Sequence, residues 1–143
     1  MNKRIEVRYF SRTGNTTKLA ARIAAAAGCE AKTVDAPINK PIDILFLGAS
    51  VYAAGIDNKV KEFINSLSKY NVGKIVVFST SALVERGYPE IKKAILDKGI
   101  PVEEDNYYCR GQFTLLHRGR PNDKDLLEAE EFTKRILKEQ ESR

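Results

Sequence analysis

From Tyr9 to Lys18 the chain reads Tyr-Phe-Ser-Arg-Thr-Gly-Asn-Thr-Thr-Lys, and five of the six positions from Ser11 to Thr16 are Ser, Thr, Gly or Asn. Residues of these types at this spacing can hold an anion. Ser11, Thr13, Thr16 and Thr17 supply hydroxyl donors, and Gly14 lets the backbone approach a ligand closely. The helix that follows turns its first N–H groups, which lack intrahelical partners, toward negative charge. Ser, Thr and Asn are also the usual helix caps, but a cap needs one of them; a run of five points to a phosphate cradle. No Gly-Lys-Ser/Thr ending follows and no Gly-x-Gly-x-x-Gly occurs, which weakens the triphosphate and dinucleotide readings.

The elements around this loop follow from apolar periodicity. Ile5 to Phe10 is a strand, and Leu19, Ile23 and Ala27 recur at helical spacing until Gly28 stops the pattern. Ala31 to Val34 offers a short strand. Ile42 to Ala49 and Lys74 to Ser79 are nearly continuous apolar runs, as strands buried on both faces of a parallel sheet require. Each opens into small polar residues, Ser50-Val51-Tyr52-Ala53-Ala54-Gly55 and Ser79-Thr80-Ser81-Ala82-Leu83-Val84. Helices follow, one capped by Asp57 with Val60, Phe63, Ile64 and Leu67 inward, the next with Pro89 near its start and Ile91, Ala94 and Ile95 inward. Tyr107 to Leu115 reads as the last strand, and Asn122 and Asp123 cap a final helix carrying Leu126, Ala129, Phe132 and Ile136 on one face.

This rhythm predicts an α/β fold, a doubly wound five-stranded parallel sheet in a single domain over residues 1–143. About eight residues separate the second and third strands, fewer than the dozen or so that a crossover helix needs. An extended connection is therefore expected where the helix after strand 2 would stand.

Ser11-x-Thr13-Gly14-Asn15-Thr16 after the first strand resembles the FMN phosphate loop of flavodoxins, and the resemblance spans essentially the whole chain, with Cys109-Arg110-Gly111-Gln112-Phe113 similar to that family's fifth strand. It implies strand order 2-1-3-4-5 and a ligand crevice between strands 1 and 3, outside the carboxyl ends of the strands. It further implies that Ser11, Arg12, Thr13, Gly14, Asn15 and Thr16 hold the FMN phosphate. Ser50, Val51, Tyr52, Ala53, Ala54 and Gly55 then form a second loop, and Ser79, Thr80, Ser81, Ala82 and Leu83 a third. Tyr52 is the aromatic best suited to cover a flavin face, with Leu83 or Val84 as other flanks. Gly55, or the Ala53-Ala54 peptide, supplies the carbonyl that meets flavin N5–H.

The function implied is electron transfer by bound FMN, with no catalytic side chain and no metal, because the cofactor carries the chemistry. The Gly48-Ala49-Ser50 start of the second loop also resembles FMN enzymes of this fold, of the quinone reductase or menaquinone-dependent protoporphyrinogen oxidase type. A phosphate- or nucleotide-binding module without redox chemistry is the reading from another class. His117, between basic neighbours, reads as solvated.

The 143 residues, 43% hydrophobic, enclose one ordinary core. No apolar run reaches the ~20 residues of a membrane span, and Lys3, Arg4, Glu6 and Arg8 interrupt the start, so a cytoplasmic protein is expected. Cys29 and Cys109 suggest neither a disulfide framework nor a zinc site and read as buried small apolar residues. The formal charge of +5 lies within residues 1–40, where eight basic side chains face Glu6, Glu30 and Asp35. Flavodoxins that act as carriers are typically acidic. The basic half therefore favours redox partner proteins with acidic docking surfaces; without basic–aromatic blocks or a nucleic-acid motif, nucleic acid is not expected.

Overall fold

The computed structural model describes residues 3–11, 14–52, 55–81, 87–111 and 119–141, with the backbone alone at 51, 52, 55 and 87. The apolar runs form β1 (Ile5–Phe10), β2 (Ala31–Thr33), β3 (Ile42–Tyr52), β5 (Val72–Ser81) and β6 (Tyr107–Arg110), and β4 (Gly55–Ile56) adds two residues antiparallel to the end of β3. The five long-range strands are all parallel in the order β2-β1-β3-β5-β6, which is the expected 2-1-3-4-5 order. Both β3 and β5 run further than the apolar stretch suggests. Ser50 to Tyr52 and Ser79 to Ser81, expected as loop, continue the strands, because the ladder pairs Ala49, Ser50 and Val51 with Ser79, Thr80 and Ser81.

Among the described residues four helices cover the sheet: α1 (Asn15–Ala27), α2 (Asn58–Asn65), α3 (Gly87–Leu96) and α4 (Asp123–Glu141). On one face Leu19 and Ile23 of α1 and Ala129, Phe132 and Ile136 of α4 pack on Val7, Ile44, Phe46, Val76 and Phe78. On the other, Val60, Phe63, Ile64, Ile91 and Ile95 of α2 and α3 pack on Leu45, Leu47, Ile75 and Val77. Odd and even positions of β3 and β5 thus serve opposite layers, which is why these strands read as unbroken apolar runs. Asp57 caps α2 by accepting the Lys59 N–H at 2.9 Å. Asn122 and Asp125 exchange side-chain and backbone bonds at the start of α4, a reciprocal cap. No helix of the described residues is long and apolar enough to cross a membrane. Cys109 is buried, and burial, with the Asp125 charge, pushes its thiol up to about 12. Cys29, expected to be buried, is half-buried at the turn after α1.

The short connection after β2 is extended, as its length required. The chain passes from β2 back over β1 to β3, so a right-handed crossover puts residues 34–41 on the face opposite α1. Val34 and Ile38 duly pack into the α2/α3 layer. Arg8 completes the cover. It is only 2% exposed, and its guanidinium donates to the carbonyls of Ala36 (3.0 Å) and Pro37 (3.2 Å) while pairing with Glu6 at 2.8 Å. A planar fork of donors fits three fixed acceptors in a way an ammonium does not. Arg8→Lys should therefore keep the charge but lose the two-carbonyl grip, lowering stability by about 1.5–3 kcal/mol in urea denaturation; an unchanged midpoint would show that the fork does not hold the connector.

Candidate functional site

At the carboxyl edge of the sheet the chain leaves β1 and enters α1 within four residues. Gly14 makes this possible. It is the N-cap of α1 with φ 88°, a left-handed conformation that costs glycine little, and its N–H donates to the Ser11 hydroxyl at 3.0 Å. Gly14, the N-cap itself, offers no side chain to cap the helix start. The first intrahelical bond runs from the Lys18 N–H to the Gly14 carbonyl at 3.3 Å, so the N–H groups of Asn15, Thr16 and Thr17 precede the ladder. That is the local geometry an anion needs, and it stands beside the gap between β1 and β3 where the chain reverses direction across the sheet.

Beneath this turn lie three buried hydroxyls. Thr16 in the first turn of α1, Ser50 near the end of β3 and Thr80 near the end of β5 are 0%, 6% and 1% exposed. Thr16 Oγ1 lies 2.6 Å from Ser50 Oγ and 3.0 Å from Thr80 Oγ1, and the remaining side of the triangle is 3.5 Å. Ser50 and Thr80 are ladder partners on the α1 face, so the sheet register itself brings them together. The sequence marked Thr16 as a phosphate-loop hydroxyl and Ser50 and Thr80 as members of the second and third loops. In the folded chain they bond to one another, and Thr16 presents its backbone N–H, rather than its side chain, at the helix start.

Asn15 is held from another side. A Cβ at Gly111, just beyond β6, would lie 2.7 Å from Asn15 Nδ2, so the amide rests on the bare Cα of that glycine. The Gly111 N–H reaches the Ser81 carbonyl at 3.3 Å. The start of α1 is thus packed against the ends of β3, β5 and β6 together. Gly111 was legible only as part of a strand signature; nothing in the sequence marked it as a seat for Asn15.

The other expected site residues divide by position. Val51 and Tyr52 end β3, and Gly55 opens β4 and pairs antiparallel with Tyr52. Ser79 and Ser81 are buried at the end of β5, and Ser79 Oγ has no hydrogen-bond partner. Arg12, Thr13, Ala53, Ala54, Ala82, Leu83, Val84 and His117 lie outside the described residues. The basic excess of the first forty residues is partly consumed: Arg8 is buried in its carbonyl fork, Arg4 pairs with Glu6, and Arg22 lies 3.5 Å from Glu130. Lys18 is exposed on the first turns of α1. A cavity of about 480 Å³ lies near the opposite ends of the strands, lined by Lys74, Val102, Glu103, Glu104, Asp105 and Glu139. Its lone cation is already paired with Glu103, so it offers a phosphate mainly repulsion.

A doubly wound parallel sheet in this strand order, with a glycine-opened helix start at its switch point, is a flavodoxin-like architecture. The flavodoxin domain family model matches residues 7–111, and the chain belongs to that family. An uncharacterized protein of Methanocaldococcus jannaschii is 28% identical over 137 residues, covering 87% of this chain and 91% of that one. Among solved structures, a flavodoxin from the domain Archaea superposes with TM-score 0.77 at 17% identity, covering 94% of this chain and 96% of that one. Oxidised flavodoxin 1 from Bacillus cereus gives 0.73 at 20% identity, covering 94% and 97%. The Flv1 flavodiiron core of Synechocystis gives 0.69 at 19%, but this chain spans only 36% of it. These likenesses are likenesses of fold.

The hydroxyl triangle has an energetic consequence. The Thr16 side chain is fully buried and bonded twice, so a bulky apolar residue there would disturb the fold as well as the loop. Even the near-isosteric Thr16→Val strands Ser50 and Thr80 with only their 3.5 Å contact, and should cost about 1–3 kcal/mol in chemical denaturation. Equal stability would show that the triangle contributes nothing.

Proposed function

We propose that this chain binds FMN at the carboxyl edge of its sheet, as one domain over residues 1–143, and passes electrons between partner proteins. The observation that carries the reading is the start of α1, opened by left-handed Gly14 and pinned to the ends of β3 and β5 by Thr16. The donor set fits a phosphate: backbone N–H groups and hydroxyls, with no carboxylate among the described residues of that turn.

In this reading the stretch Ser11, Arg12, Thr13, Gly14, Asn15 and Thr16 holds the phosphate, the N–H groups of the first turn giving the fixed part of the grip. The hairpin at 50–55 and the end of β5 with Ala82 and Leu83 flank the ring. Tyr52 covers one face, and a carbonyl of the Ala53-Ala54-Gly55 stretch accepts from N5–H. FMN, when bound, supplies the one- and two-electron chemistry. The described residues from Gly14 to Thr17 offer backbone N–H groups, hydroxyls and an amide, which bind and orient rather than transfer protons. Exposed Lys18 on the same edge favours partners with acidic docking surfaces, and the cytoplasm is the compartment we propose.

The test is direct. Purified protein should be yellow, or should take up one equivalent of FMN and release it on denaturation. Riboflavin, lacking the phosphate, should bind at least about tenfold more weakly, since one hydrogen bond to a charged group is worth about 1.5–3 kcal/mol. A colourless protein that takes up neither flavin would remove this reading.

A further inference from the structure

We infer that Glu90 is a positioning residue for the hairpin that faces the cofactor, an inference that rests on the flavin reading above. The hairpin joins the last residues of β3 to the two-residue β4, through Val51 opposite Ile56 and Tyr52 opposite Gly55. So short a strand has little holding power of its own. Its tether comes from across the layer instead. Glu90, in the first turn of α3, reaches over with Oε2 and accepts the Ile56 N–H at 3.1 Å.

Three features converge on this foot of the hairpin. The Ile56 side chain is buried with Val60, Ile91 and Ile95. The next residue, Asp57, caps α2. The Ile56 N–H is held by Glu90, a hydrogen bond strengthened by charge. The first two belong to the core and to a helix start, and cannot be changed without disturbing them. Glu90 is half-buried, and a carboxylate in the first turn of a helix is favoured by the macrodipole wherever it points. Its reach to Ile56 is therefore extra to the needs of α3.

The backbone at 53–55 is the part whose carbonyl would turn to meet N5–H. Such a turn alters φ and ψ at neighbouring residues and must die out before the core at Ile56. A fixed N–H at Ile56 confines the change to the hairpin tip and sets which backbone arrangement the cofactor meets. Glu90 thus acts on the cofactor through the backbone and does not touch it.

The experiment compares wild type, Glu90→Ala and Glu90→Gln. Amide hydrogen exchange is read first on the protein without flavin. Glu90→Ala should speed exchange at Ile56 by about tenfold or more while Val77, in the middle of β5, stays unchanged; Glu90→Gln keeps an acceptor oxygen and should stay near wild type. With FMN bound, the midpoint potential should shift in Glu90→Ala and return toward wild type in Glu90→Gln. Unchanged exchange at Ile56 in Glu90→Ala would overturn the proposal. So would a Glu90→Gln potential matching that of Glu90→Ala, since charge and not position would then be responsible. If the protein takes up no FMN, the flavin reading falls alone, and the exchange comparison still decides whether Glu90 holds the hairpin.

Discussion

Three buried hydroxyls decide how closely the start of α1 approaches the ends of β3 and β5. A hydroxyl out of water needs a partner, and leaving one unmet costs as much as an ordinary hydrogen bond contributes or more. Thr16, Ser50 and Thr80 meet that need among themselves. Ser50 and Thr80 are fixed by strand register, so Thr16 has little freedom, and with it the first turn of α1 is fixed over the strand ends. The position of Gly14 and of the N–H groups behind it follows. Asn15 on Gly111 adds a third strand to the same clamp.

The other half of the fold answers a shortage of chain. Eight residues between β2 and β3 cannot build a crossover helix, yet the face of β1 opposite α1 must still be covered. The extended segment does this with Val34 and Ile38, and its carbonyls would be left poorly met against a purely apolar strand. Arg8 supplies donors from within the strand, and Glu6 offsets its charge. A buried ion pair contributes little net stability, but removing one member leaves the other exposed to a large penalty. The arrangement therefore specifies the path of the connector more than it adds to stability. It also keeps Arg8 out of the positive surface that a count of charges would assign to it.

Much of this was legible in the sequence, for physical reasons that differ by residue. The apolar runs of β3 and β5 gave the strands because both their faces are covered, and the length after β2 excluded a helix. The loop from Ser11 to Thr16 gave the helix start because glycine and hydroxyl residues cluster where backbone groups need unusual conformations or partners. What stayed hidden depends on distance in space. The mutual bonding of Thr16, Ser50 and Thr80 spans 34 and 64 residues of chain, and local pattern has no access to which hydroxyls turn inward. Arg8 read as one more surface cation because its acceptors are backbone carbonyls, which carry no side-chain signature. Glu90 carries no local signal of such a role, and only the fold places Ile56 within its reach. The strand ends at 50–52 and 79–81 read as loop because their residues are small and polar, yet the ladder holds them.

If the first turn of α1 is the anion seat, backbone amide NMR of the flavin-free protein reads it residue by residue. On titration with FMN the resonances of Gly14, Asn15, Thr16 and Thr17 should move most strongly among the residues of α1, and inorganic phosphate should move the same set more weakly. The amides around Lys74 and Glu103, near the opposite ends of the strands, should stay still. Shifts centred there, or an α1 turn indifferent to both FMN and phosphate, would contradict the account.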